Sequence, residues 1–150
     1  MFRGANKLTL DAKGRMVMPT RYRERLQEIC GGNLVVTVDK DRCLLIYPLP
    51  DWEEIERKLM RLPTLNPQAR RLQRLMVGHA TEIDLDSHGR LLLPPKLREF
   101  GMLTRDAMLI GQGQRFELWD EASWDARRDE WLAGDEAAGD LPAELESLTL

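Results

Sequence analysis

Apolar and polar residues alternate over short stretches of this chain, and these stretches fall into two blocks separated by a longer helical pattern. A two-residue period predicts strands, because successive side chains of a strand point to opposite faces. The predicted strands are residues 7–10, 16–18, 34–38 and 43–47 in the first block, and residues 82–85, 91–93, 107–110 and 116–119 in the second.

Apolar residues at helical spacing predict helices within and between the blocks. Pro19 directly precedes the first of these helices, and Pro94 or Pro95 opens the fourth, since proline suits the first turn of a helix. Asp51 and Ser123 each stand where the last strand of a block gives way to a helix that begins with Trp, and we predict both as N-caps. The predicted helices are residues 20–28, 51–62, 67–76 and 94–101, with a further one starting near Glu121.

The two blocks contain the same motif, 75 residues apart. Residues 11–23 and 86–98 are identical at five of 13 positions, where about one would be expected by chance at ordinary residue frequencies. Each copy has an Asp, a Gly-Arg pair, three apolar residues and a Pro. An internal repeat of this kind predicts two related halves. A half of roughly 45 residues is too small to bury a core alone, so we expect the halves to interleave.

The expected fold is therefore mostly β with helices, of the α+β class, with the two halves forming one barrel of pseudo-twofold symmetry. We divide the chain into four segments. The first repeat is residues 5–52, a helical connector is residues 53–80, the second repeat is residues 81–124, and an acidic tail is residues 125–150. We expect the tail to be helical at first and of low order after Ala133.

The net charge of −3 hides two opposite regions. Residues 1–116 contain 20 basic and 14 acidic residues, a balance of +6, and residues 117–150 contain two basic and 11 acidic residues, a balance of −9. A charged partner responds to the local potential within about a Debye length, roughly 10 Å, so the total charge decides little. The basic body is compatible with nucleic-acid binding.

Several other classes find no support in the sequence. No apolar run is long enough to span a membrane, and the first residues lack the apolar segment of a signal peptide, so we expect a cytoplasmic protein with no membrane partner. Cys30 and Cys43 lie in apolar surroundings and are expected to be free thiols. His79 and His88 have no acid or thiol at ligand spacing, so we predict no metal site, no cofactor and no small-molecule substrate.

The doubled motif and its surroundings are similar to the MraZ family of bacterial transcriptional regulators, which is built from two swapped-hairpin repeats of the AbrB (SpoVT-AbrB) type. The similarity covers nearly the whole chain, and the order and spacing of its motifs are specific. The matching segments are residues 1–4, 11–15, 19–23, 45–48, 70–71, 78–80, 86–90 and 116–119.

The resemblance implies a sequence-specific regulator that binds double-stranded DNA at direct repeats and represses its own operon of division and cell-wall genes. It also implies a nucleoid-associated homo-oligomer in the form of a ring, an octamer or larger. Ring and direct repeats are linked physically. A ring uses head-to-tail contacts, so neighbouring subunits meet half-sites in the same orientation, whereas a twofold dimer requires inverted ones.

The first turn is the predicted reading element. Arg15 can pair bidentately with guanine in the major groove, which contributes about 1–3 kcal/mol of discrimination. Gly14 allows close approach of the backbone, and Asp11 is expected to order the turn. Lys13 at the tip, together with Arg3 and Lys7 on the preceding strand, is expected to contact phosphate.

The second turn repeats this arrangement, with Asp86 and Gly89 as ordering residues and Arg90 as the candidate contact. Both turns could bind DNA, or the second could only complete the fold. The second turn has His88 in place of Lys13 and is flanked by Glu82 and Asp84. We therefore predict that the first turn dominates.

Alternative interpretations remain open at this point. An Asp11–Arg15 ion pair could merely hold the turn. Residues 70–74, with three arginines, could contact phosphate, lie on a solvated face, or form a subunit contact with the acidic tail. Asp11 and Asp86 could form a catalytic acid dyad, although Lys13 would keep one of them ionised, and we predict no enzymatic activity. A protein-binding module that uses the tail as a clamp is a further possibility.

Overall fold

The computed structural model describes residues 1–134 and 143–148. The first half contains four strands and a helix in the predicted order, followed by a connector of two helices and a π-helical turn. The elements are β1 (Phe2–Thr9), β2 (Arg15–Val17), α1 (Thr20–Cys30), β3 (Asn33–Val38), β4 (Leu44–Pro48), α2 (Leu49–Met60), α3 (Pro67–Leu72) and the π-helical turn (Gln73–Val77).

The second half repeats the same series without the last two elements. Its helix α4 is shorter than α1, and its first strand is half as long as β1. The elements are β5 (Thr81–Asp84), β6 (Arg90–Leu92), α4 (Pro95–Phe100), β7 (Asp106–Gly113), β8 (Arg115–Asp120), α5 (Glu121–Ala133) and α6 (Ala143–Glu146).

The two halves exchange their first strands. Six strands form one antiparallel sheet in the order β1-β7-β8-β4-β3-β5, so β1 pairs with the third strand of the second half and β5 with the third strand of the first. Strands β2 and β6 pair with each other in a separate two-stranded ribbon. Both pairings are related by the same pseudo-twofold axis, which confirms an α+β fold of two interleaved repeats. The large sheet is open, with β1 and β5 at its edges, and does not close into a barrel.

Each face of the large sheet has its own core. On one face, Met16 and Leu91 of the ribbon pack with Phe116 and Leu118 of the sheet, and all four side chains are fully buried. On the other face, the helices α2 and α5 and the π-helical turn cover a second cluster that includes Trp119. The ribbon therefore lies on the opposite side of the sheet from α2 and α5, and the first core fixes its position.

Two predicted N-caps are wrong. Helix α2 begins at Leu49, directly after Pro48, so Asp51 lies inside its first turn. The cap of α5 is Asp120, whose carboxylate accepts a hydrogen bond from the backbone N–H of Ser123 at 3.0 Å. In both cases the last strand residue is the N-cap and the helix starts directly after it, because Pro48 and Asp120 already have the extended backbone that a cap requires.

Within the part of the chain that the structure describes, no helix combines the length and the apolar character needed to cross a bilayer. Cys43 is buried and Cys30 is half-buried, and both are free thiols. The expectation of low order after Ala133 concerns mainly residues 135–142 and 149–150, which lie outside the described residues.

Candidate nucleic-acid interface

The turn between β1 and β2 is organised by one carboxylate. Asp11 Oδ1 accepts hydrogen bonds from the backbone N–H groups of Lys13 and Arg15, both at 2.9 Å, and its Oδ2 accepts one from Arg15 Nε at 2.6 Å. The backbone closes the turn with a bond from Gly14 N to Asp11 O at 3.0 Å. Asp11 thus fixes the backbone of the turn and the direction of the Arg15 side chain at once.

The turn between β5 and β6 has the same geometry. Asp86 Oδ1 accepts from the backbone N–H groups of His88 and Arg90 at 2.8 and 2.9 Å, and its Oδ2 accepts from Arg90 Nε at 2.7 Å. Gly89 N donates to Asp86 O at 3.0 Å. The Asp-x-x-Gly-Arg motif therefore builds the same hydrogen-bonded turn twice.

Each turn is supported by an arginine of the other half. Gly14 has a φ of +84°, and a Cβ at this position would lie 2.5 Å from Arg98 Nε. Gly89 has a φ of +74°, and a Cβ there would lie 2.5 Å from Arg23 Nε. The positive φ favours glycine at both positions, and a larger residue would also displace the arginine side chain that packs there. The two turns are packed reciprocally, so each half supports the turn of the other.

These arginines are themselves fixed at the ribbon. Arg23 Nε donates to Met18 O at 2.6 Å, and Arg98 Nε donates to Leu93 O at 3.0 Å. Two backbone hydrogen bonds also join each half to the turn of the other half. Met18 N donates to Gly89 O at 2.9 Å, and Leu93 N donates to Gly14 O at 3.1 Å. The ribbon and both turns thus form one hydrogen-bonded unit.

The ribbon presents one outward face. Met16 pairs with Leu91 at its centre and both point into the core, so the next residue on either side points outward. Arg15 lies opposite Leu92, and Val17 lies opposite Arg90. Val17 is 46% and Leu92 53% exposed, so both aliphatic side chains reach solvent. The outward face therefore combines two arginines with two aliphatic side chains.

Both arginines occupy this face with part of the guanidinium uncommitted. Nε bonds to the carboxylate of the turn, whereas the hydrogen bonds of the described residues include none from the terminal amino groups of Arg15 or Arg90. These terminal groups carry four of the five N–H donors of a guanidinium. The ion pair that could merely hold the turn is present, and it engages only Nε, so the two terminal amino groups are not used by it.

Electrostatics keep both carboxylates charged. The backbone N–H of Arg15 is the largest cause that lowers the pKa of Asp11 below its ordinary value, followed by the Arg15 side chain. The corresponding N–H of Arg90 lowers the pKa of Asp86 to about 2. A catalytic dyad needs one carboxylic acid whose pKa is raised so that it carries a proton. Both pKa values are shifted the other way, which argues against acid–base catalysis by this pair.

The other candidate contacts are not all in one place. Lys13 is exposed at the tip of the first turn, beside the ribbon. Lys7 lies on β1 with its Nζ 3.4 Å from the carboxylate of Glu121 at the start of α5. Leu8 and Leu10 of the same segment pack into the ribbon-side core, so the alternation of the strand directs Lys7 and Arg3 to the opposite face. The structure brings Lys13, Gly14, Arg15 and Arg90 together and leaves Arg3 and Lys7 apart from them.

Sequence reasoning did not single out Val17, Leu92, Arg23 or Arg98 as site residues. Arg23 and Arg98 are identical residues at equivalent positions of the repeat, which marks them in the sequence. The repeat alone does not indicate that each packs over the glycine of the other half. Val17 and Leu92 carried a weaker signal, because in a three-residue strand with a buried centre both flanking residues must face outward.

No group of three or more His, Cys, Asp or Glu side chains within residues 1–134 and 143–148 is arranged to hold a metal ion. His79 and His88 are both exposed and bond within their own segments, His79 Nδ1 to Leu75 O at 2.7 Å and His88 Nδ1 to the Ser87 hydroxyl at 3.4 Å. Burial raises the pKa of the Cys43 thiol, which makes it a poor nucleophile.

Comparison with known proteins agrees with this architecture. The family model described as “MraZ protein, putative antitoxin-like” matches residues 1–75 and again residues 76–137. The “Transcriptional regulator MraZ” of Halorhodospira halophila is 57% identical over 152 residues, with all of both chains covered. The proteins of the same name from Thioalkalivibrio sulfidiphilus and Pseudomonas aeruginosa (strain LESB58) are 57% and 53% identical over 150 and 151 residues, again with complete coverage of both chains.

Proposed function

The chain belongs to the MraZ family, and from that premise we propose that it is a DNA-binding transcriptional regulator whose β2–β6 ribbon reads base edges in the major groove. The relatives named above are called transcriptional regulators, which supports the general function. The location of the reading surface is argued from the geometry of this chain.

The observation that carries the proposal is the outward face of the ribbon. Arg15 and Arg90 are diagonal neighbours on this face, at a Cα separation of about 7–8 Å. The major groove of B-DNA is about 12 Å wide and admits a two-stranded ribbon. Two guanidinium groups held by carboxylates at this spacing can pair with guanine, and aliphatic side chains such as Val17 and Leu92 can contact the methyl group of thymine.

Pre-organisation supports the same surface. An arginine whose Nε is bonded to a carboxylate has lost much of its rotamer freedom before DNA binds, so less entropy is lost on forming the complex. Lys13 at the tip of the first turn is placed to contact phosphate, which positions the ribbon without reading sequence. We therefore assign base contact to Arg15 and Arg90, with Arg15 dominant, and phosphate contact to Lys13.

We further propose the biological setting that the family implies. The chain represses its own operon of division and cell-wall genes, binds direct repeats upstream of it as a ring of identical subunits, and is a cytoplasmic, nucleoid-associated protein without enzymatic activity. Residues 5–52 and 81–124 are the two repeats within one subunit, joined by the connector of residues 53–80. Head-to-tail assembly supports direct repeats as targets, since it presents every ribbon in the same sense.

Footprinting on the duplex upstream of the chain's own gene tests this proposal. We expect protection of short segments in the same orientation at regular spacing. Fluorescence anisotropy on the same duplex should show log Kd rising with log salt concentration by about 0.9 for each phosphate neutralised. A scrambled duplex of equal length is the control. Absence of protection, or equal affinity for the scrambled duplex at physiological salt, would contradict the proposal.

The matching family is also described as “antitoxin-like”, which keeps a protein-binding function as the second candidate. The same titrations distinguish the two. An interaction with a protein partner through the acidic end of the chain would leave DNA affinity weak and nearly independent of sequence, whereas specific repression requires both steep salt dependence and discrimination between the two duplexes.

A further inference from the structure

The helices α2 and α5 hold equivalent places in the two halves, and they differ in what covers them. Trp52 and Trp124 are 72 residues apart, each near the start of its helix. The same offset makes Leu59 of α2 the counterpart of Trp131 of α5. Leu59 is 7% exposed, whereas Trp131 is 53% and the following Leu132 78% exposed. Among the residues that the structure describes, the end of α5 therefore lacks the cover that Leu59 has at the end of α2.

The cover of α2 is the second part of the connector. Met76 and Val77 of the π-helical turn pack in the same core cluster as Leu59, and Gln73 Nε2 donates to Leu59 O at 2.8 Å. The end of α5 also has an apolar surface. Trp131 packs edge-to-face on Trp119 and Trp124 at centroid distances of 6.1 and 5.7 Å. The guanidinium of Arg127 also lies 5.7 Å from the centre of this ring, and Trp131 is still 53% exposed.

The exposed end of α5 has three acidic side chains and two arginines, a net charge of −1. Asp125, Asp129 and Glu130 are largely exposed, and their contacts with arginines of the same helix are 3.4–3.5 Å long. Exposed pairs of this kind contribute about 0–1 kcal/mol and exchange easily for other partners. A partner of this surface should therefore offer basic side chains together with apolar ones.

The connector offers that combination. Residues 57–78 contain six basic residues and no acidic one. Met60, Leu65 and Leu72 are exposed among them, by 54%, 93% and 41%. Arg70 and Arg71 are exposed and form no ion pair with any residue in the described parts of the chain. We call residues 60–74 the connector surface, and residues 125–132 the α5 surface.

The two surfaces lie over different halves of the same sheet face. The connector packs against β3 and β4, and α5 packs against β7 and β8, which follow one another in the sheet order β1-β7-β8-β4-β3-β5. The connector surface has a net charge of +4 and would repel a second copy of itself, whereas the α5 surface has a net charge of −1 and offers it three acidic side chains. A twofold contact brings identical patches together, whereas a contact between two different patches repeats head to tail and generates rings or filaments.

We propose that the α5 surface of one copy of this chain packs on the connector surface of the next copy, with Trp131 and Leu132 covered by Leu65 and Leu72 and the acids of α5 paired with Arg70 and Arg71. This inference rests on the proposed oligomeric function and assigns the surfaces that would build it. The partner's helix then covers α5 as the chain's own π-helical turn covers α2.

Charge reversal on one surface at a time tests the contact in the full-length chain. The first variant carries Arg70→Glu, Arg71→Glu and Arg74→Glu, which changes the net charge of the connector surface from +4 to −2, so that both of its surfaces are acidic. The second carries Asp129→Lys and Glu130→Lys, which makes both of its surfaces basic. Sedimentation velocity should show loss of the assembled species for each variant alone. An equimolar mixture should assemble again, because each connector surface then finds an α5 surface of opposite charge.

A matched control reverses exposed charges elsewhere, with Glu24→Lys and Glu28→Lys on α1, and should leave the assembled mass unchanged. Failure of the mixture to assemble would overturn the proposal. So would a Trp131→Ala variant that keeps the assembled mass and is only less stable to urea, since the cover of α5 would then come from within the chain. A first variant that assembles normally but binds DNA more weakly would instead assign the connector surface to DNA.

These outcomes are separable from a failure of the proposed function. A wild-type chain that assembles and binds its upstream duplex, combined with a mixture that does not recover, refutes the surfaces and leaves the regulator intact. A wild-type chain that assembles but does not bind that duplex refutes the regulator, whatever the variants do.

Discussion

The two turns of the ribbon have nearly the same geometry and different charges. Each is closed by one aspartate that accepts two backbone N–H groups and the Nε of its arginine, and each has its glycine beneath an arginine from the other half. At the tips, however, the first turn has Lys13 where the second turn has His88. The comparison shows that duplication preserved the machinery that positions an arginine and changed the groups that would attract a phosphate backbone.

Alanine at the two arginines is the strongest test of this comparison. We expect Arg15→Ala to weaken binding to the upstream duplex by about 10–100-fold, because a bidentate contact to guanine provides about 1–3 kcal/mol. Arg90→Ala should weaken binding to the same duplex by less than about tenfold, since the second turn lacks a lysine that would position Arg90 by contacting phosphate. Fluorescence anisotropy at one fixed salt concentration measures both.

The result depends on both variants keeping the fold. Urea unfolding checks this, and we expect similar midpoints because both side chains occupy equivalent, partly exposed positions. Arg15→Lys is a useful companion, since it keeps the charge and loses the fork that pairs with guanine. Equal losses of affinity for the two alanine variants would show that the turns contribute equally. The predicted dominance of the first turn in DNA binding would then be wrong.

The sequence predicted the parts of this site that follow from the repeat itself. Asp11, Gly14 and Arg15 recur at the same spacing as Asp86, Gly89 and Arg90, and a carboxylate with a glycine three residues later is a local turn signal. Local hydrogen bonds of this kind are fixed by neighbours in the chain. The repeat also predicted that two small halves must share one core, which the exchange of β1 and β5 accomplishes.

The parts that the sequence did not predict depend on strand direction and long-range packing. Lys7 precedes the first turn and Glu82 the second, and both were expected to set the charge around it. Strand alternation places them on the face that carries α2 and α5, where Lys7 pairs with Glu121 and Glu82 lines a groove with Glu53. The expected difference between the turns therefore rests on their tips more than on their flanking strands.

Exchanging the tips sharpens that conclusion. The double variant Lys13→His and His88→Lys keeps the composition and moves the positive charge from the first turn to the second. We expect the affinity to fall only a few-fold and the slope of log Kd against log salt to change by less than about 0.9, the contribution of one phosphate. Arg90→Ala in this background should then cost more than Arg15→Ala. If Arg15 remains dominant, the asymmetry comes from the position of the DNA and not from the tips.

The smallest effect concerns the carboxylates, and it tests whether the two turns are truly equivalent. The pKa of Asp11 is lowered and that of Asp86 is about 2, against about 3.9 in an unfolded chain. A group whose pKa is depressed by folding stabilises the fold above its unfolded pKa. This stabilisation is lost as the pH falls from about 4 through about 2. Carboxyl chemical shifts in an NMR titration should show both aspartates titrating below the ordinary range.

Because backbone N–H groups are the leading cause of both shifts, the turns should remain ordered without their arginines. We expect Asp86 in the Arg90→Ala variant to keep a pKa below the ordinary value, with only part of the shift removed. An Asp86 that returned to the ordinary range in this variant would mean that the side chain holds the turn. The arginine would then be needed for structure, and a loss of DNA affinity in Arg90→Ala would no longer report on base contact.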